Sequence, residues 1–165
     1  MNVIADLLGF CWLITQDGDP RVSTIYRRHY SCYNYRDGRR SNPGNRHRRL
    51  CVGPGEKLVL ISADGRAALA WRKFIDRSGQ QGVNCAFFRN EGAFGGAVLS
   101  SELILKAEVL AWAKWPGARL YTYVNTRAVR GDGLCFKAAG WRKCGRTKNH
   151  LLILEKFPHQ PIDSR

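Results

Sequence analysis

Leu120-Tyr121-Thr122-Tyr123-Val124-Asn125, and then Leu134-Cys135-Phe136-Lys137-Ala138-Ala139-Gly140-Trp141, decide how this 165-residue chain folds. The first run is rich in aromatic and β-branched residues and reads as a strand over Arg119 to Asn125. The second reads as a short helix from Leu134 to Ala139, stopped by Gly140. Trp141 to Lys148 and His150 to Lys156 follow as a closing antiparallel pair.

Upstream the pattern is equally regular. Lys57 to Ser62 reads as a strand, Ala63-Asp64-Gly65-Arg66 as a hairpin turn, Ala67 to Ile75 as its partner, and Gly82 to Arg89 as a third strand. Gly92, Gly95 and Gly96 loosen the chain before Ser100 or Ser101, either of which can cap a helix running to about Trp115, where Pro116-Gly117 ends it. Leu103, Ala107, Leu110 and Ala111 recur at helical spacing and should face the sheet, leaving Lys106, Glu108 and Lys114 on the wetter side. The alternation predicts a single domain over residues 1–165 of mixed α/β (α+β) class: a mostly antiparallel central sheet flanked by helices, rather than a doubly wound parallel one.

Lys and Arg total 27 against 13 Asp and Glu, a formal net charge of +14 with a pI near 10.0. Such a charge steers polyanions to the surface, and nucleic acid is the leading candidate. The apolar stretch Leu99 to Trp115 is broken by Glu102, Lys106, Glu108 and Lys114, so no membrane-spanning segment is expected. Met1 to Thr15 lacks a basic leading region and contains Asp6, which argues for a cytoplasmic protein rather than a secreted one. Cys11, Cys32, Cys51, Cys85, Cys135 and Cys144 show no zinc-ligand spacing and read as small buried hydrophobes, and no metal site is expected.

Charge is concentrated between Arg21 and Arg49, where nine arginines meet the single acid Asp37 and alternate with Tyr26, Tyr30, Tyr33 and Tyr35. Ser41-Asn42-Pro43-Gly44-Asn45 adds turn-forming composition, so this stretch reads as an irregular, exposed basic insertion. Arginines grip phosphates and tyrosines stack on bases, which makes Arg27, Arg28, His29, Tyr30, Arg39 and Arg40 the expected DNA-binding residues.

The strand ending in Asn125, with Phe136-Lys137-Ala138-Ala139-Gly140-Trp141 after it, resembles the C-terminal half of the GNAT acyltransferase superfamily. The resemblance runs from about Leu58 to Glu155 and leaves most of the N-terminal third outside. It implies central strands that splay around the pantetheine arm of acetyl-CoA or another acyl-CoA, whose diphosphate meets a glycine-rich turn at a helix start. Arg89-Asn90-Glu91-Gly92-Ala93-Phe94 matches the Arg and first Gly of the superfamily's signature and departs from it at Phe94. Arg89, Gly92, Gly95, Gly96 and Ser100 are accordingly the expected cofactor-binding residues. Glu91 as general base, Ser101 as a group stabilising developing charge, Asn125 as the residue orienting the acceptor and Tyr123 as a proton source are the expected catalytic ones. Phe136 stands where many members carry a proton-donating Tyr, so Tyr123, Cys135 or water must serve instead.

Arg28-His29-Tyr30-Ser31 and the glycine-rich Arg89 to Ser101 stretch look most like phage-type GNAT proteins, among them the Mom DNA-modification enzymes that protect DNA from restriction. The function expected is transfer to a nucleobase in DNA, at the adenine amino group. Acetylation of a protein or small amine, and a catalytically silent nucleic-acid-binding module, are the competing readings.

Overall fold

Ser62 and Asp64 close the hairpin on which the sheet is built. The Ser62 hydroxyl donates to Asp64 Oδ1 at 2.7 Å and accepts the Arg66 and Ala67 N–H groups at 3.0 and 2.9 Å, fixing the turn between β3 (Glu56–Ser62) and β4 (Ala67–Lys73). The structure is a computed structural model that describes residues 3–5, 11–33, 50–75 and 77–158. Arg39 and Arg40, with most of the basic insertion, lie outside the described residues.

The other elements, in chain order, are β1 (Val3–Ala5), β2 (Cys11–Thr15), α1 (Pro20–Tyr26), α2 (Tyr30–Tyr33), β5 (Val83–Asn90), α3 (Ser100–Lys114), β6 (Leu120–Val124), α4 (Leu134–Ala138), β7 (Arg142–Arg146) and β8 (Leu152–Lys156). The described strands form one sheet in the order β1-β2-β3-β4-β5-β6-β8-β7. Every neighbouring pair is antiparallel except β5 and β6, which run parallel. The sheet is thus mixed and mostly antiparallel, as the pattern predicts. No described helix is long and apolar enough to cross a membrane.

Two cores cover the two faces of the sheet. On one, Leu103, Ile104, Ala107 and Ala111 of α3 pack on Leu58, Leu60, Leu69 and Trp71. On the other, Val22 and Ile25 of α1 pack on Val59, Ile61, Ala70 and Phe87. The indoles of Trp12 and Trp71 reach across from the sheet to the α3 backbone, donating to the carbonyls of Leu103 and Ala107 at 3.2 and 3.1 Å. Such bonds fix the helix along its axis, which apolar packing alone leaves free to slide.

The fold departs from the sequence pattern at four places. Residues 20–26 are helical rather than irregular: Asp19 caps the helix by accepting the Arg21 N–H at 2.9 Å, Pro20 sits in its first turn, and Val22 and Ile25 bury one face. Neither Ser100 nor Ser101 caps α3, because Leu99 occupies the cap position and Glu102 reaches back to its N–H at 2.9 Å. Glu108 does not face water but is 2 % exposed, while Leu105 and Val109 occupy the wet side. Cys144 is exposed rather than buried.

Glu108 is buried because it is fully partnered. It accepts from Lys156 Nζ at 2.7 Å and Trp141 Nε1 at 2.6 Å, while Lys156 Nζ also donates to the Ala139 carbonyl at 2.7 Å. One carboxylate thereby ties α3 to β8 and to the α4–β7 corner. Removing one partner of a buried ion pair strands the other, at a cost of about 3–5 kcal/mol. Urea unfolding of Lys156→Met should show a loss of this size, and Glu108→Leu/Lys156→Met should recover more than half of it. A single-variant loss below about 1 kcal/mol would show that the pair is effectively solvated.

Candidate functional site

Ala86 is one residue too many. In the β4–β5 ladder Ala70 faces Phe87 and Trp71 faces Cys85, so Ala86 bulges out of register. Side-chain parity flips across it: Cys85 belongs to the α3-side core, whereas Phe87 belongs to the α1-side core. Beyond the bulge β5 turns away from β6, and the two pair only at Val83↔Leu120 and Asn84↔Tyr121. Gly82 permits that short contact, since a Cβ there would lie 2.3 Å from the Arg119 carbonyl oxygen, and its φ of 112° suits only glycine. Where the ladder stops, the Thr122 hydroxyl donates to the Cys85 carbonyl at 3.1 Å.

The parted strands enclose a cavity of about 350 Å³. Its walls are Phe87 and Phe88 of β5, Thr122 to Asn125 at the end of β6, His29 and Tyr30 at the start of α2, and Cys135 and Phe136 of α4. Gly133, at a φ of 83°, lets α4 start directly above β6, because a Cβ there would meet Leu154 Cδ1 at 2.9 Å and Val124 Cγ2 at 3.1 Å. Phe136 stacks edge-on against Phe88 and Trp141, at 6.2 and 5.0 Å between ring centroids.

The structure brings together four of the expected residues, Asn125, Tyr123, His29 and Tyr30, in this one slot. Asn125 accepts the Arg127 N–H on its Oδ1 at 3.1 Å, holding the turn that follows β6, and donates its own N–H to the Tyr30 hydroxyl. Burial pushes Tyr30 above its ordinary range, against that hydrogen bond, so it keeps its proton at neutral pH. Cys135 is pushed up by burial in the same way. The Tyr123 hydroxyl lies 3.4 Å from Ser78 Oγ. His29 is 8 % exposed and leans on Tyr30, with 4.3 Å between ring centroids, so it is a wall of the slot rather than part of an exposed face.

Glu91 occupies a clamp that disqualifies it as the general base expected of it. Arg28 grips it with two hydrogen bonds, one of them from Nε at 2.7 Å, and Arg89 Nε adds a third at 2.9 Å. The Arg28 bonds, with Arg89 behind them and against some burial, bring its carboxyl down to about 2. A group that holds a proton so weakly removes one poorly at neutral pH. Arg28 and Arg89 are correspondingly committed to Glu91, and their clamp fastens the α1–α2 corner onto β5. Arg27 stays exposed.

The glycine turn is pinned rather than loose. Asn90 Oδ1 accepts the N–H groups of Gly92 and Ala93 at 3.1 and 2.9 Å, and its Nδ2 donates to Ser100 Oγ at 3.2 Å. Asp64, from the distant β3–β4 turn, accepts the Phe94 N–H at 2.6 Å and so holds Phe94 at a left-handed φ of 55°. Gly95, Gly96 and Ala97 remain exposed. Helix geometry leaves the amides of Ser100 and Ser101 without intrahelical acceptors, and these donors, with the positive end of the α3 dipole, are what the turn offers an anion. Sequence reasoning missed the bulge, the double-arginine clamp and the Asp64 tether. The start of α1, by contrast, carries a readable signal, in Asp19-Pro20 followed by Val22 and Ile25.

Burial, reinforced by the nearby Arg89 charge, lowers His29 to about 4 from 6.5. Between those two values the unfolded chain binds the proton that the folded chain refuses, so stability falls as pH drops through that window. The full loss is about 3 kcal/mol, with no contribution from His29 above pH 6.5. His29→Phe should flatten the wild-type decline in urea-unfolding free energy between pH 7 and 4.5. An equally steep decline in the variant would mean that His29 is hydrated.

No family model matches the sequence, and neither does any curated protein. Among solved structures, the crystal structure of the GNAT domain of S. lividans PAT is similar over 95 % of this chain and 96 % of that one, with a TM-score of 0.63 and 15 % sequence identity. The overlap takes in the N-terminal third, which the sequence motifs leave mostly outside. The eight described strands, one parallel junction that splays at a bulge, and α3 and α4 on the same face, together with this similarity, give this chain the fold of a GNAT domain.

Proposed function

We propose that this protein is a GNAT-fold transferase that moves an acyl group from an acyl-CoA to a nucleobase amine in DNA, the adenine amino group in the first instance, as the resemblance to Mom-type proteins suggests. The observation that carries the reading is the chemistry of the slot. Among its described walls there is no carboxylate, and its single imidazole is held neutral with a value of about 4. An alkylammonium acceptor such as lysine must first lose a proton, at roughly 4 to 5 kcal/mol near pH 7, and the slot has no strong base to take it. A nucleobase amine is already neutral and needs orientation more than deprotonation, and orientation supplies up to roughly 7 to 11 kcal/mol.

The residues fit an acyl-CoA in two places. The facing edges of β5 and β6 beyond Asn84 and Tyr121 lack a partner strand, which suits the amides of a pantetheine arm. The Ser100 and Ser101 amides suit a diphosphate, while those of Gly92, Ala93 and Phe94 are already taken. When bound, the thioester supplies an activated carbonyl and a thiol leaving group. Tyr30 holds a proton inside the slot and can donate it, which Phe136 cannot. Cys135 is a second proton holder there. The Asn125 side-chain amide can donate to an acceptor entering past the end of β6, and the rings of Phe87, Phe88 and Tyr123 exclude water and give a flipped base surfaces to stack on.

Nucleoside mass spectrometry of DNA from cells expressing the protein should reveal an acylated base. Tyr30→Phe, which keeps the ring packing, should lower the modification rate by roughly 10²–10⁴-fold if the hydroxyl donates the proton. Unmodified nucleosides together with newly acetylated protein lysines would overturn the DNA reading.

A further inference from the structure

Two more cavities adjoin the slot at the tip of the β7–β8 hairpin, of about 470 and 600 Å³. Arg127 borders the first, Arg77 the second, and Arg146 and Lys148 both. Asn125 is common to the first cavity and the slot, Tyr123 to the second cavity and the slot, and Leu151 to all three. The three spaces are therefore one cleft, with the aromatic slot opening midway along a basic floor.

The floor gathers four cations along one cleft, whereas several others of the protein's cations are spent on ion pairs. Arg28 and Arg89 share Glu91, Arg119 and Arg142 share Glu155, Lys57 meets Asp17, and Arg21 meets Asp19. Arg77, Arg127, Arg146 and Lys148 are all exposed, and no carboxylate among the described residues pairs with any of them. Four like charges gathered along one cleft, without a carboxylate partner among the described residues, repel one another, and a bound polyanion relieves that repulsion.

The shape and the neutral groups select among polyanions. A lipid surface needs a flat or protruding basic face with apolar side chains to insert, whereas this floor is concave. Between the cations lie Asn125, Thr126, Thr147 and Asn149, amides and hydroxyls of the kind that bind phosphate oxygens, sugars and base edges. We propose that the cleft seats a nucleic-acid strand, with phosphates on Arg77, Arg127, Arg146 and Lys148 and one base reaching the slot between Asn125 and Tyr123. This rests on the reading of DNA as acceptor and adds to it a second grip, on the β7–β8 hairpin, separate from the tyrosine- and arginine-rich segment.

The test is fluorescence anisotropy of a labelled single-stranded DNA 20-mer (~20 nucleotides, enough to run the length of the cleft) with the full chain at several salt concentrations. Arg146→Gln/Lys148→Gln is compared with Lys106→Gln/Lys114→Gln, which removes the same charge from α3, outside the cleft. The cleft pair should bind at least ~10-fold more weakly and lower the slope of log K against log salt by about 2, one for each phosphate that is no longer neutralised. The α3 pair should change the slope by less than half as much. Matching melting temperatures for the two double variants are expected, since all four side chains lie outside the core. Equal weakening by both pairs would overturn the cleft while leaving the DNA reading intact. Selective weakening in the cleft pair, with cellular DNA unmodified, would uphold the cleft and overturn the acceptor assignment. Binding of the wild type to phosphatidylserine vesicles but not to the oligonucleotide would overturn both.

Discussion

The single extra residue Ala86, inserted within β5 against a regular β4, is the constraint on which the site depends. A parallel pair with no bulge would continue in the same register from Val83 to Phe87, opposite Leu120 to Val124, and leave no opening there. The extra residue stops the ladder after two pairs and flips Phe87 to the opposite core, so that a cavity opens in the middle of a sheet whose flanks stay fully hydrogen-bonded. The cost of unpaired strand edges is met by Thr122, which bonds Cys85 where the ladder ends, and by the aromatic rings that line the gap. A slot built from sheet backbone is rigid, as a site for positioning a reacting carbonyl must be.

Electrostatics follows a division of labour. The few acids are spent on holding parts together: Glu108 joins α3 to β8, Glu91 joins the α1–α2 corner to β5, Asp17 binds the N–H groups of Cys51 and Val52, and Asp64 tethers the glycine turn. Asp64 is itself raised by burial, yet the N–H of Phe94 and its other donors outweigh that and hold it below the ordinary carboxylate range. The surplus of positive charge is left to the surface and to the cleft. A chain with 27 basic and 13 acidic side chains can be stable only if such a surplus is spread or met by a polyanion.

How much of this was legible in the sequence depends on the range of the interactions involved. The β3–β4 hairpin, α3 and the β6–α4–β7–β8 run were readable because alternation, helical spacing and glycine or proline stops are local signals. Asn125, Tyr123, His29 and Tyr30 were singled out as residues, although only the fold shows that they meet. The bulge was not readable, since Cys85-Ala86-Phe87-Phe88 carries no residue that marks an offset. Nor was the burial of Glu108, whose partner Lys156 lies 48 positions away, or the capture of the Phe94 amide by Asp64, 30 positions away. The helical start of the basic segment was legible in Asp19-Pro20 but was masked by the arginine-rich composition after it.

Amide chemical-shift mapping during titration with acetyl-CoA tests the central claim most directly. The largest changes should fall at residues 86–88 and 122–125, on the two parted edges, with a second group at Ser100 and Ser101 and little movement in β1 to β3. Changes confined to the exposed basic surface, or none at saturating ligand, would contradict it, because the gap between β5 and β6 would then be a packing feature with no cofactor to hold.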